Sequence, residues 1–165
     1  SEWVCNAMPA PAKTAPSMIR DETAIANLLY SYAERIDSGD LAGAAQLFAH
    51  AQIKVGDRLV DAQDLLAMWQ RAIILYPDGT PRTKHIITNP IIEIDVSGAR
   101  ATCRSTYNVM QQADQAPLQA VICGRYHDEF QRVDGLWRFS WRDYSLHDLV
   151  GDLSRHSHNH NRKEE

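Results

Sequence analysis

Two periodicities divide the chain. Up to about residue 76, apolar side chains return every three or four positions; from about residue 82 they fall in long extended runs. The helical part predicts three helices. Ile25, Leu28, Leu29, Tyr32 and Ile36 form one stripe of a helix from about Ile19 to Ser38, with Tyr30, Ala33 and Asp37 along its edge. Gly39 ends it, as glycine does at a left-handed C-terminal position. Asp40 caps a short second helix whose stripe is Leu41, Ala44, Ala45 and Phe48. A hairpin follows from Ile53 to Val60 around Gly56-Asp57. Asp61 caps a third helix ending near Tyr76, with Leu65, Met68, Trp69, Ala72 and Tyr76 on its inner face.

The extended part predicts four segments, at about 82–96, 99–113, 117–132 and 136–148. The breaks, Ser97-Gly98, Gln115-Ala116-Pro117 and Asp134-Gly135, have turn chemistry. Pro90 cannot donate to a ladder, so a bulge or bend is expected inside the first segment. Short connections imply an antiparallel meander. Helices first and strands later give an α+β domain, a strongly curved, mostly antiparallel sheet with three N-terminal helices in its concave face.

Composition narrows the class. One domain is expected over residues 18–150, with 44% hydrophobic and 23% charged residues in the 165-residue chain. Residues 1–17, with three prolines, read as a flexible arm. Residues 151–165 read as a polar tail, expected to be disordered, and alternating His156, His158 and His160 within it could hold a transition metal nonspecifically. A net charge of −4 argues against nucleic acid as a partner. No apolar run approaches the ~20 residues of a membrane-spanning helix. Three cysteines, Cys5, Cys103 and Cys123, match neither a metal motif nor a disulfide framework, which implies a reducing, cytoplasmic setting. There is no phosphate loop, nucleophile elbow or zinc helix, so no cofactor or metal is expected.

Candidate chemistry gathers around Arg82 to Pro90. Thr83, His85, Ile87 and Asn89 share one face of a strand. Imidazole titrates near neutrality and can act as a general base when a carboxylate orients it; Asp37, at the end of the first helix, is the candidate carboxylate. The alternative is a helix-end acid and a satisfied polar histidine. Arg142 could stabilise an enolate or a departing anion. On strict alternation with Trp137, Phe139 and Trp141, however, Arg142 would point to water. Tyr30, Trp69, Tyr107 and Tyr126 are candidate substrate contacts, with plain core packing as the alternative for each. Arg125 and Asp128 read as surface or interface ion pairs.

The run from Tyr32 to Asp40, then Leu47-Phe48-Ala49, Thr83 to Pro90, Gly124 to Phe130 and Asp134 to Phe139 resemble SnoaL-like domains. That superfamily of α+β cones includes nuclear transport factor two, scytalone dehydratase and a dehydrochlorinase. The resemblance covers about residues 19–148 and implies the fold. It places Asp37 and His85 at the positions of the dehydratase acid and base, and Arg142 at that of the dehydrochlorinase arginine. Ile36, Ser105, Gly124 and Tyr126 depart from the scytalone dehydratase pattern, which argues against that substrate. Relatives assemble as dimers or trimers.

The resulting expectation is a cofactor-independent lyase or isomerase. It would take a proton from a small apolar cyclic, polyketide- or steroid-like molecule, and work as a homo-oligomer. The alternative is a non-catalytic binding or structural module, such as the small subunit of a ring-hydroxylating dioxygenase.

Overall fold

The computed structural model describes residues 20–158. The expected arm at 1–17 and the last seven residues of the tail lie outside them. Helix α1 (Asp21–Asp37) buries Ile25, Leu29, Tyr32, Ala33 and Ile36, the stripe predicted above with Ala33 added and Leu28 only half-buried. It stops at Gly39, whose φ of 81° suits a residue without a side chain. Asp40 accepts from the Gly43 amide and starts α2 (Leu41–Gln46). Strands β1 (Gln52–Val55) and β2 (Arg58–Val60) form the expected hairpin. Asp61 accepts from the Asp64 amide and caps α3 (Ala62–Ala72), which is one turn shorter than predicted.

Then come β3 (Thr83–Ile94), β4 (Arg100–Gln111), β5 (Gln119–Val133), β6 (Leu136–Asp143) and β7 (His147–Val150). The fourth extended segment is therefore two strands. It breaks at Tyr144-Ser145-Leu146, and β6 and β7 share the edge of β5 that β4 leaves open. The sheet order is β2-β1-β6-β5-β4-β3, antiparallel except where β1 runs parallel to β6.

Bulges curve this sheet. One lies between Thr88 and Ile91, where Asn89 takes a positive φ and Pro90 is tolerated, as the sequence led us to expect. A second interrupts the β5–β6 ladder: Glu129 faces Trp141 and Phe130 faces Phe139, leaving Ser140 as the extra residue. The concave face takes the helices, with α1 lying over β3 and β6. Asp21, at the N-terminus of α1, accepts from the Trp137 indole at 3.0 Å and from Arg132 at 2.7 Å, tying the helix start to the far end of the sheet.

The chain after β7 is not a free tail as far as residue 158. The Ile74 amide donates to the His156 carbonyl and the His158 amide to the Ala72 carbonyl. The Tyr76 hydroxyl and the Gln111 amide both donate to the Arg155 carbonyl. A polar segment is thus held by backbone bonds to the end of α3, which hydropathy does not signal.

Candidate functional site

Asp37 is the last residue of α1, where the helix dipole disfavours a negative charge by about 0.3–1 kcal/mol. Three donors from β3 compensate. Asp37 Oδ1 is 2.8 Å from the Thr83 hydroxyl and 2.7 Å from His85 Nδ1, and Oδ2 accepts from the His85 amide at 2.8 Å. Burial pushes the Asp37 carboxyl up, but the bonds from His85 and Thr83 outweigh it and hold the group below the usual carboxylate range. The side chains of Asp37 and His85 are 8% and 6% exposed. An ionised carboxylate only accepts, so Nδ1 must carry the proton of a neutral His85, which leaves the lone pair on Nε2.

His85 lines a cavity of about 470 Å³ on the concave side of the sheet. Ile36, Leu65, Met68, Trp69 and Ile73 form its helical wall. Tyr107, Ile122, Tyr126 and Tyr144 form its sheet wall, and Leu153, His156 and Ser157 of the C-terminal segment close one side. The aromatic rings are ordered: Tyr107 stacks on Tyr126 with centroids 4.3 Å apart, and Tyr126 on Tyr144 at 6.1 Å. The Tyr32 and Tyr144 hydroxyls are 2.9 Å apart.

Of the seven candidate residues, Asp37 and His85 meet as expected, and Trp69, Tyr107 and Tyr126 line the cavity beside them. Two candidates do not join them. Tyr30 is 45% exposed and faces away; Tyr32, two positions on, supplies the buried phenol instead. Arg142 is not at the cavity. The Ser140 bulge reverses the alternation of β6, so Arg142 turns inward rather than to water, but Asp128 then takes both Nε and Nη2, at 2.7 and 2.9 Å. The guanidinium lies behind the site, 3.9 Å from the Tyr126 ring centre and 4.6 Å from that of Tyr32. Asp128, read above as a surface or interface pair, is fully buried with it. Arg125 does pair at the surface, with Asp148.

Three cavity residues escaped the sequence reading. One long strand was expected at about 136–148, so Tyr144 shared the parity of Arg142 and was directed to water, and His147, on the parity of the aromatic face, was not singled out. His156 looked like part of a solvated tail. Its Nδ1 is buried without a hydrogen-bond partner, and burial, then repulsion from His85, pushes the imidazole down to about 4. Among the described residues, no three histidine, cysteine, aspartate or glutamate side chains come together as a metal site.

A family model described as the SnoaL-like domain matches residues 17–143. The chain belongs to the SnoaL-like family. This SnoaL-like domain also superposes on solved structures with the NTF2-like, cystatin-like fold. One is a protein of unknown function from Mycobacterium tuberculosis, 26% identical over 79% of each chain, with a TM-score of 0.62. A second, from Novosphingobium aromaticivorans, is provisionally described as a scytalone dehydratase; it is 22% identical over 86% of this chain and 93% of that one, with a TM-score of 0.60. A third, from the same organism, is provisionally described as the beta subunit of an aromatic-ring-hydroxylating dioxygenase, 18% identical over 81% and 94%, with a TM-score of 0.60. No curated protein matches the sequence. No helix of the SnoaL-like domain, among the described residues, is long and apolar enough to cross a membrane.

Proposed function

We propose that the domain is a cofactor-independent lyase or isomerase, and that His85 removes a proton from carbon in a small, largely apolar cyclic molecule. The observation that carries this reading is the orientation of one ring. Nδ1 of His85 is held by Asp37 at 2.7 Å, so Nε2 is the nitrogen left for the cavity that His85 lines. Its lone pair is set by the tautomer that the carboxylate imposes. When Nε2 takes a proton, the neighbouring carboxylate stabilises the positive ring. The cavity wall is mostly aliphatic and aromatic, which lowers the local dielectric and strengthens these interactions.

Arg142 acts in this reading as a positioning residue. It fixes the Tyr126 and Tyr32 rings from behind and touches no substrate. The substrate contacts are Trp69, Tyr107 and Tyr126.

The test is a panel of hydroxylated, halogenated and carbonyl-bearing rings incubated in heavy water and followed by NMR for elimination, isomerisation or deuterium uptake. At least one member is expected to react with the native protein, with the rate falling on the order of a hundredfold or more in His85→Ala. Tight binding of several members with no reaction in any of them would favour a ligand-binding module instead. Reaction that His85→Ala leaves unchanged would remove His85 as the base.

A further inference from the structure

The cavity holds a second polar couple that the base does not use. The Tyr107 hydroxyl lies 2.7 Å from His147 Nδ1. The two residues come from β4 and β7, which lie on opposite edges of β5. Gly124 of β5 pairs with both. A Cβ built there would stand 2.7 Å from the Tyr107 hydroxyl and 2.3 Å from the Leu146 carbonyl. Glycine is therefore what lets the phenol cross β5 to reach the histidine. Tyr107 is buried, whereas His147 sits at the cavity's open rim.

Counting protons gives the couple a definite character. At neutral pH the phenol keeps its proton, because burial pushes Tyr107 up, and burial likewise pushes His147 down, so its ring is neutral. The pair then owns one O–H and one N–H, and the bond between them uses one. If the phenol donates to Nδ1, the His147 N–H is left on Nε2. If Nδ1–H donates to the phenol oxygen, the phenol O–H is left. In either tautomer one donor is unspent, and both residues line the cavity.

We propose that Tyr107 and His147 form an oxygen-binding subsite, and that the ligand is a flat ring compound with a carbonyl oxygen seated there. The stacked Tyr107 and Tyr126 rings offer a flat surface for such a ring, and Trp69 lines the helical side. The ladder places the subsite beside the base: His85 pairs with Val109 and Ile87 with Tyr107, so His85 and Tyr107 are diagonal neighbours on adjacent strands. Such neighbours are roughly 7–8 Å apart. A carbonyl at the couple would thus present its α-carbon toward His85. As Nε2 takes the α-proton, the C–H electron pair becomes the enolate double bond and the carbonyl oxygen gains negative charge, where the unspent donor meets it. Return of a solvent deuteron to carbon restores the ketone. The substrate class rests on the proton-transfer reading; the subsite itself does not.

Two probes separate them: 1-indanone, a flat ketone that can only accept a hydrogen bond, and indane, the same frame without oxygen. Binding is followed by calorimetry, the bound carbonyl by infrared difference spectroscopy with carbonyl-13C indanone, and α-exchange by NMR in heavy water. The native protein is expected to bind indanone at least about tenfold more tightly than indane, as a hydrogen bond worth ~1.4 kcal/mol requires. The bound carbonyl stretch should move to lower frequency. Tyr107→Phe and His147→Phe should each weaken the preference and the shift, since each leaves one donor of the couple, and the double variant should abolish both while leaving indane binding intact. His85→Ala should keep both and lose exchange. Equal binding of ketone and hydrocarbon by the native protein, binding of neither, or an unshifted carbonyl would overturn the subsite. A preference and a shift that survive in the double variant would do the same. A shifted carbonyl with no α-exchange in the native protein would leave the subsite standing and count against the base.

Discussion

Two carboxylates on this domain each hold a cationic or proton-carrying partner at 2.7 Å, and they differ in what the partner can do next. Asp37 holds His85 at the edge of the cavity. Asp128 holds Arg142 in a sealed layer, with both side chains at 0% exposure and the rings of Tyr32, Phe48, Tyr126 and Phe139 around the guanidinium. An imidazole can gain and lose a proton near neutrality; a guanidinium cannot. The first pair leaves one ring atom for the cavity that His85 lines. The second spends two nitrogens on its partner and faces no ligand. Burial pushes the Asp128 carboxyl up against the pull of Arg142, whereas the donors around Asp37 hold that group down. In the proposed reading a similar short contact serves chemistry in one place and architecture in the other, and access to the cavity decides which.

The largest effect expected comes from breaking the sealed pair. Asp128→Ala leaves a buried guanidinium without its carboxylate and should lower stability by about 3–5 kcal/mol, read from urea unfolding. Removing both charges together, as Asp128→Leu with Arg142→Met, should recover most of that loss, because an apolar pair of similar size carries no desolvation cost. A double variant as unstable as the single one would show that the pair holds the aromatic layer in a way packing alone cannot replace.

Next is the open pair, where activity and stability should separate. His85→Ala is expected to slow whatever turnover the ring panel reveals by on the order of a hundredfold or more. Its stability change should stay below that of Asp128→Ala, since the ring already borders a cavity. Rate constants and unfolding midpoints measured on one preparation check both. An unfolding loss as large as that of the sealed pair would mean that His85 is mainly a structural tie between α1 and β3.

The open pair was legible in the sequence and the sealed one was not, for a physical reason. Thr83, His85 and Ile87 obey period two on an unbroken stretch of strand, so their common face follows from spacing. Asp37 follows from helical period and from the glycine that stops α1. Their meeting needed the family resemblance, since pattern alone does not join residues 48 positions apart. Arg142 was misdirected because one inserted residue, Ser140, reverses every side chain after it, and bulges carry weak sequence signals. Tyr144, on the parity of Arg142, was misdirected by the same bulge, and the β6–β7 break at residues 144–146 left no continuous strand from which to place His147. The closing segment was missed because backbone bonds, not apolar side chains, hold it.

His156 and Asp37, an imidazole of the cavity wall and the carboxyl beside it, give a smaller effect that depends on pH. His156 ionises at about 4 in the folded protein against roughly 6.5 in an unfolded chain. Between those values the unfolded form binds more protons, so stability rises with pH and is lost as pH falls from about 6.5 toward 4. The loss should be on the order of 1–3 kcal/mol and should be much reduced in His156→Phe, with a remainder from His147, which burial also pushes down. Asp37 acts in a lower window. Its folded carboxyl is depressed, so its contribution is present above about 4 and is lost only as pH drops through the lowered folded value. The protection factors of the Ile74 and His158 amides against hydrogen exchange, corrected for the pH dependence of intrinsic exchange, should therefore fall between about pH 6.5 and 4 before those of the core. Uniform loosening of core and segment together would place the pH response elsewhere.

The smallest effect expected is at Tyr30, and it sharpens the comparison by its absence. Helical spacing puts Tyr30 and Asp37 seven positions apart, nearly two turns and close to one line along α1. That line runs along the boundary between the buried stripe and the surface. The Asp37 carboxyl turns into the β3 donors at its end, while the Tyr30 ring, two turns back, stands 45% exposed. Tyr30→Phe removes a solvated hydroxyl that neither pair uses. The change in unfolding free energy should stay within about 0.5 kcal/mol, and the turnover that depends on His85 should not move. A severalfold loss of turnover at unchanged stability would mean that this face of α1 reaches a ligand after all, and the boundary of the open site would have to be redrawn around the helix edge rather than the sheet.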